Sequence, residues 1–303
     1  MTKKTKDERR KTKDNAYKMY KLRNWINIDK LLLCSVSAHP KAVRLLESRP
    51  EMIMWESLSA NPEAITLISE NLDKAHWRRL SENPGAVGIL ERNLDKVCWS
   101  NLSLNPAAIH ILEKYPENIY WHELSSNPAA IKLLEANPEN ICWDALSANP
   151  AAIELLEANP DKIDWKYLSM NPGAIRLLEK NLEKVSWTNL SANPAAIHLL
   201  KAYPEFISWR QLPINDGALS LIETIDFTHN HLLCTRMCQN PAAIHLIEKF
   251  ETKSYLFLSQ NPEIFEYDYA GMRESRTNLF HELVQVQFHP KHIDRFEGWE
   301  LDD

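Results

Sequence analysis

Apolar residues in this chain fall into two alternating groups, each spaced so that its members lie on one side of a short helix. In residues 149–170 the first group is Ala152, Ile153, Leu155 and Leu156, and the second is Ile163, Trp165 and Leu168. Each predicted helix has about nine residues, and isolated helices of that length are marginal in water. We therefore expect pairs of short helices that are stabilised by stacking on neighbouring pairs.

The pattern repeats along most of the chain. Tryptophan occurs every 22 residues from Trp55 to Trp209, and Asn-Pro recurs with the same period from Asn61 to Asn193. Self-similarity at such a period is typical of repeat architectures. The sequence therefore predicts an all-α fold, an α-solenoid of about ten 22-residue two-helix repeats with N- and C-terminal helical caps.

The repeat register divides the chain into four segments. Residues 1–23 form a basic arm, residues 24–38 an N-terminal cap and half repeat, and residues 39–260 ten tandem helix-pair repeats, of which 215–239 is irregular. Residues 261–303 form a C-terminal half repeat and cap, with a helix expected over 267–288. Layers roughly 9 Å apart would make a curved rod on the order of 90 Å long, and the caps would cover its two ends.

Asparagine opens both halves of most repeats. Its side-chain oxygen accepts a backbone N–H at a helix start, and a following proline fits the first helical position. We expect Asn149 and Asn159, at the two starts within one repeat, to act alike as N-caps.

These motifs resemble a known class of repeats. The run from Asn149-Pro150-Ala151-Ala152-Ile153 to Trp165-Lys166-Tyr167-Leu168-Ser169 resembles the Asn-Pro/Trp tandem repeats of proteins from large eukaryotic DNA viruses. The segment Ile264-Phe265-Glu266-Tyr267-Asp268-Tyr269, with Phe288-His289-Pro290 and Gly298-Trp299, is similar to the closing segment of such proteins. The resemblance covers residues 27–299. It implies viral origin and repeat architecture, and it transfers no catalytic residues.

Charge is distributed unevenly. The net charge is −6, but residues 1–23 carry +7 and residues 24–303 carry −13. The basic arm could contact nucleic acid or an acidic partner, act as a nuclear import signal, or simply be a disordered, solubilising segment. Its candidate nucleic-acid contacts are Lys3, Lys4, Lys6, Arg9, Arg10, Lys11 and Lys13.

Compartment is suggested by what the sequence lacks. The chain has five cysteines and no CxxC pair, which does not resemble a secreted disulfide framework. It has neither a secretory signal nor an apolar stretch long enough to span a membrane. We expect an intracellular protein of the host cytoplasm or nucleus, or one packaged in a virion, with no membrane contact.

Candidate chemistry is sparse. A cluster that could hold zinc comprises His229, His231, Cys234 and Cys238. The repeat register already explains both cysteines, however, because Cys234 takes the Trp position and Cys238 the position of Ser59. We expect no metal, no cofactor and no enzymatic activity. The tryptophans could stack nucleobases, but we expect them to be core residues sealed between layers.

Positions that vary between repeats indicate the solvent faces. The fifth residue after each Asn, the residue before each Trp and the two residues after it all vary. Candidate partner-binding residues at these positions are Thr66, His110, Lys132, Glu154, Arg176, His198, His76, Tyr120, Asp164, Arg78, Arg79, Lys166 and Tyr167.

We interpret the chain as a non-enzymatic protein-binding scaffold of a large DNA virus, which engages a protein, either a host factor or a virion component, through these variable stripes. One alternative is a structural or minor capsid-associated component of the virion. Another is a nucleic-acid-associated protein that binds through the basic arm.

Overall fold

The computed structural model describes residues 19–223, 231–251, 253–274 and 276–277, and its helices belong to two alternating series. We call the series that starts near the repeat tryptophan the Trp helices and the other the Ile helices. The Trp helices are Leu33–Ala38, Trp55–Leu58, Trp77–Glu82, Trp99–Leu104, Trp121–Ser125, Trp143–Ser147, Trp165–Leu168, Trp187–Leu190, His231–Met237 and Tyr255–Leu258. The Ile helices are Val43–Ser48, Ile65–Ser69, Val87–Leu90, Ile109–Lys114, Ile131–Glu135, Ile153–Glu157, Ile175–Glu179, Ile197–Ala202, Leu219–Ile222 and Ile244–Ile247. The predicted all-α repeat solenoid is confirmed.

Short 3-10 turns lead into most of these helices, so the expected nine-residue helices are split into a turn and a shorter α-helix. Proline at the first turn position favours this geometry, since it presets φ and has no N–H to leave unpaired. The turns before Ile helices are Pro40–Ala42, Pro84–Ala86, Pro128–Ala130, Pro172–Ala174, Pro194–Ala196, Asp216–Ala218 and Pro241–Ala243, and Pro262–Ile264 precedes a strand. The turns before Trp helices are Ile28–Lys30, Pro50–Met52, Leu72–Lys74, Leu94–Lys96, Pro116–Asn118, Pro138–Asn140, Pro160–Lys162 and Leu182–Lys184. Pro204–Phe206 and Leu212–Ile214 flank Trp209, where the Trp helix is replaced by turns.

One leucine, or another apolar residue at the same position, from each helix of a layer forms the core. Leu146 in a Trp helix and Leu156 in the following Ile helix both have no exposed surface, and their equivalents in other layers are buried in the same way. Burial of each such side chain contributes about 1.5 to 3 kcal/mol. Stacked layers thus share one continuous core, which is what stabilises helices too short to form alone.

The two ends of the repeat array meet. Strand β1 (Tyr20–Leu22) pairs antiparallel with strand β2 (Phe265–Tyr267), with Lys21 opposite Glu266. Leu32 N donates to Ser259 Oγ at 2.9 Å, which is the contact that Met54 N makes to Ser37 Oγ between consecutive layers. The expected open rod is therefore wrong, because the first and last layers pack together as neighbours do.

We call the contact between the two ends of the array the seam, and the layer at the seam is built from both ends of the chain. Its Asn-Pro turn and strand β2 come from residues 261–267, and its strand β1, mid-layer turn and Trp helix come from residues 20–38. Eleven layers, counted by the residues at the Asn position within the described chain, thus close a ring that turns by about 33° per layer. Those residues are His39, Asn61, Asn83, Asn105, Asn127, Asn149, Asn171, Asn193, Asn215, Asn240 and Asn261.

The segments expected to cap two exposed ends instead pack against each other where the ring closes. Ile26 is buried, and Tyr20, Leu22 and Trp25 pack against the core at the seam. The helix expected over 267–288 begins later, since residue 267 lies in β2 and residues 269–274 are helical. Residues 278–303 lie outside the described part of the chain. None of the helices in the described residues is both long and apolar enough to cross a membrane.

Candidate functional site

The side chain of the asparagine in each Asn-Pro turn makes structural hydrogen bonds within the repeat array. Asn149 Oδ1 accepts from Ala151 N at 3.0 Å, as expected of an N-cap. Its Nδ2 also donates to Ser125 O at 3.0 Å and to Asn127 O at 3.1 Å, both in the preceding layer. The side chain is 1% exposed, so it satisfies three backbone groups and has no surface for a partner.

The mid-layer asparagines behave differently from the expectation. Asn159 makes no N-cap bond to the turn that follows it. Its Nδ2 instead donates to Leu155 O at 2.9 Å, within the preceding Ile helix. The predicted N-cap is wrong here, because the amide satisfies a carbonyl that would otherwise be unpaired at a helix C-terminus.

The repeat serine links two layers. Ser147 Oγ donates to Trp143 O at 2.7 Å and accepts from Asp164 N, 17 residues later, at 3.0 Å. It is fully buried, as are the serines at this position in the other described layers. The polar positions that recur in most layers are thus structural, and recognition falls to the positions that vary.

The stripe on the Ile helices is exposed in every layer. It contains one residue per layer, including Thr66, His110, Lys132, Glu154, Arg176 and His198. His110 Nε2 lies 2.9 Å from Glu91 Oε1, and His198 Nε2 lies 2.7 Å from Glu179 Oε1, each in the preceding layer. Both pairs are about half exposed, so they contribute little stability.

The residues that directly precede each Trp were all expected to be exposed, and this expectation is wrong for some of them. His76 and Asp164 are half-buried, whereas Tyr120 is 52% exposed. His76 Nδ1 accepts from Arg79 N at 3.4 Å. Asp164 Oδ1 accepts from the backbone N–H groups of the two residues after Trp165 at 2.9 and 3.0 Å. These two side chains cap Trp helices. Because they are hydrogen-bonded to the backbone, they are less able to bind a partner.

The first residue after Trp is exposed in most described layers, but the expected exposure of the second is wrong in part, because Asn101 and Ala145 are buried. Arg78, Arg79, Lys166 and Tyr167 are all exposed. Sequence reasoning missed Met170, which is 50% exposed next to Tyr167, itself 41% exposed. The signal was available, because the position before each Asn holds Ala60, Glu82 and Leu104 in other repeats and therefore varies as the selected stripes do.

The indole rings pack on the core but are not sealed between layers. Most are half-buried, and Trp209 is 42% exposed. The lysine of the next mid-layer turn covers several of them, with Lys162 Nζ 4.5 Å from the ring centroid of Trp143. Phe206 covers Trp187 instead, with stacked rings 4.9 Å apart. Because side chains of the chain already cover these faces, the rings are poorly suited to stack nucleobases.

The two cysteines of the zinc cluster considered from the sequence occupy repeat positions. Cys238 is buried, and its thiol donates to Cys234 O at 3.3 Å, as the repeat serines donate to the Trp carbonyl. Burial raises the pKa of both thiols. His229 and the side chain of His231 lie outside what the structure describes, as do Lys3, Lys4, Lys6, Arg9, Arg10, Lys11 and Lys13 of the basic arm.

One further group of side chains was not foreseen. His122, Cys142 and Asp144 bring a nitrogen, a sulfur and an oxygen within 4.8 Å of one another. Cys142 Sγ donates to Asp144 Oδ1 at 2.9 Å, and this bond raises the pKa of the thiol and lowers that of the carboxyl. The 22-residue period could have revealed the group, since His122 and Asp144 hold the same position in consecutive repeats.

Comparisons with family models, with curated proteins and with solved structures find no match to this chain. Its function must therefore be inferred from its own residues.

Proposed function

We propose that this protein is a non-enzymatic protein-binding scaffold of a large DNA virus and that it engages its partner through the exposed face of the Trp helices. One observation carries the proposal. The repeated asparagine, serine and core leucine positions are buried in nearly every described layer, whereas the fifth residue after Asn and the first residue after Trp vary between layers and are mostly exposed. Such a division lets a surface diversify while the fold is kept, as in other repeat proteins that bind macromolecules. The viral assignment is supported by the resemblance of the repeat unit.

The most suitable contact residues lie in one layer. Tyr167 and Met170 expose 41% and 50% of their surfaces three residues apart. Tyrosine and methionine are enriched in protein interfaces, where they supply large apolar area. Lys166 Nζ lies 5.8 Å from the Tyr167 ring centroid and adds a charge at the edge of this patch.

Affinity purification from cells that produce the protein, with a C-terminal tag, tests the proposal. Wild type is compared with the face variant Y167A/M170A and with the control variant E135A/E157A, which changes exposed residues of the Ile helices outside the variable stripes. Loss of a hot-spot side chain costs about 2 kcal/mol or more. We therefore expect a partner protein whose recovery falls by about tenfold or more with the face variant and stays unchanged with the control.

Two outcomes would contradict the proposal. One is that no protein is enriched over an untagged preparation. The other is that recovery is the same for the face variant and for wild type. Circular dichroism of each variant should show the helical content of wild type, because only exposed side chains are shortened.

A further inference from the structure

The group formed by His122, Cys142 and Asp144 joins two layers at the surface. His122 directly follows Trp121 in one Trp helix, while Cys142 and Asp144 lie on either side of Trp143 in the next. Their ligand atoms all lie within 4.8 Å of one another. His122 and Asp144 are exposed and Cys142 is half-buried, so the group is open to solvent.

We propose that His122, Cys142 and Asp144 form a surface binding site for a divalent cation of the zinc class. An imidazole nitrogen, a thiolate sulfur and a carboxylate oxygen are three of the ligands that Zn²⁺ takes in proteins. A thiolate disfavours Mg²⁺ and Ca²⁺, which select oxygen ligands. The site lies on the exposed face of the Trp helices, in the two layers that precede the layer of Tyr167 and Met170, and it is separate from the cluster around Cys234.

The geometry requires only a small adjustment. Bonds of about 2.0 to 2.3 Å at tetrahedral angles place ligand atoms roughly 3.5 Å apart. A separation of at most 4.8 Å therefore has to shorten by about 1 Å, which rotation of exposed side chains can supply. Cys142 Sγ and Asp144 Oδ1 are already 2.9 Å apart.

The surroundings match the charge of the bound state. Binding requires the Cys142 thiol to lose its proton to solvent, after which the thiolate and the Asp144 carboxylate together neutralise the dication. Glu123 Oε2 lies 4.0 Å from His122 Nδ1. At this distance the Glu123 carboxylate makes no hydrogen bond to the imidazole, but it adds negative charge next to the site. With three protein ligands, water would complete the coordination.

The repeat provides an internal control. Cys98 occupies the same position two repeats earlier and is also half-buried, but Arg78 and Ser100 stand where His122 and Asp144 stand around Cys142. Cys98 Sγ lies 3.2 Å from Asn101 Oδ1 instead of facing a carboxylate. The two cysteines are therefore similar in burial but differ in their neighbours. A nonspecific effect of metal ions on thiols would slow modification of both, whereas binding at the proposed site would protect Cys142 alone.

Alkylation of the full-length, reduced protein at pH 7.5, followed by mass spectrometry of each cysteine, tests the proposal. Saturating Zn²⁺ should slow modification of Cys142 by about tenfold or more, because the bound thiolate cannot attack the reagent. Modification of Cys98 should change by less than about twofold. Mg²⁺ at the same concentration should protect neither residue.

Variants and a spectroscopic probe complete the test. H122A should abolish protection of Cys142, whereas H110A, which changes an exposed histidine of the Ile helices, should retain it. With Co²⁺ as the probe, wild type should develop a thiolate-to-metal charge-transfer band that C142S lacks and C98S keeps. Equal protection of Cys98 and Cys142, or full protection in H122A, would overturn the proposal.

Discussion

The side-chain amide of each repeat asparagine joins the start of its own helix to the layer before it. Asn149 donates to two carbonyls across the layer boundary and accepts one N–H within its own turn. Buried polar groups are costly unless paired, and aspartate or serine could not donate twice while accepting once. The geometry explains why this residue type recurs at almost every layer.

Replacing this amide should destabilise the protein far more than replacing the one at the mid-layer turn. N149A removes three hydrogen bonds of a buried amide, two of them to carbonyls of the preceding layer, and we expect the free energy of unfolding to fall by about 2 to 3 kcal/mol. N159A removes one half-buried bond within a layer, worth about 1 kcal/mol. Urea unfolding followed by circular dichroism measures both changes. Equal losses for the two variants would contradict the interlayer role of Asn149.

His39 replaces this asparagine in the first layer and gives the seam a pH dependence. Its Nδ1 accepts from Lys41 N at 3.0 Å, and its ring packs 4.7 Å from that of Phe265. Burial, and to a smaller extent the charge of Lys41, lower the pKa of His39 from 6.5 to about 4, against a weaker opposing effect of the Pro262 carbonyl. In the folded protein, His39 is therefore neutral above about pH 4.

The sign of the effect follows from linkage. The unfolded chain binds a proton at His39 near pH 6.5 and the folded chain only near pH 4, so stability is lost as the pH falls through this window. Between neutral pH and pH 4, protonation of this residue in the unfolded chain lowers the free energy of unfolding by about 3 kcal/mol. H39N should lose this component, as judged by thermal unfolding between pH 7 and pH 4. An unchanged pH dependence in H39N would contradict the assignment.

At the scale of elements, the seam uses the same contacts as every other layer boundary and adds a strand pair. Lys30 Nζ lies 5.6 Å from the Tyr255 ring centroid, as Lys74 Nζ lies 4.9 Å from that of Trp55. Four ion pairs join the N-terminal segment to residues 263–268. Because these pairs are partly exposed to solvent, we expect packing of β2 to supply more of the stability than charge does.

Truncation of the buried aromatic residue in β2 should open the ring without unfolding the opposite side. Phe265 is 1% exposed, and its replacement by alanine costs about 3 to 5 kcal/mol. In F265A we expect faster hydrogen exchange in residues 20–38 and 255–267, with protection kept in residues 105–190, because layers contact only their neighbours.

L146A provides the matched control. Leu146 has no exposed surface and lies far from the seam along the chain, so its truncation should accelerate exchange around residues 125–170 instead. Uniform loss of protection in both variants would show that the ring unfolds as one unit and would contradict this expectation.

At the scale of the whole molecule, the sequence predicted the layers but not their closure into a ring. The 22-residue period fixes which residues are buried, because each layer repeats the same environment. Closure depends instead on a small rotation per layer, and no single residue specifies that angle. A signal was nevertheless present, since Asn27-Ile28-Asp29-Lys30 matches Asn71-Leu72-Asp73-Lys74 and provides the half repeat that residues 261–267 lack.

The candidate surface was predictable to a similar extent. Comparison between repeats identified the exposed stripe of Thr66 and the face of Tyr167, because variation among copies reports exposure. It could not show that His76 and Asp164 cap helices, since that depends on backbone direction at the helix start. It also missed the group around Cys142, which appears only when consecutive layers are placed side by side.

The closed ring is tested most directly by zero-length carbodiimide cross-linking of the unmodified protein. Lys41 Nζ lies 2.8 Å from Glu263 Oε1, and Lys21 Nζ lies 3.5 Å from Glu266 Oε1. Mass spectrometry of the monomer fraction should identify amide bonds between Lys41 and Glu263 and between Lys21 and Glu266, and E263Q should lose the first and keep the second. An open rod would give neither bond in monomers, while cross-links between adjacent layers would still form.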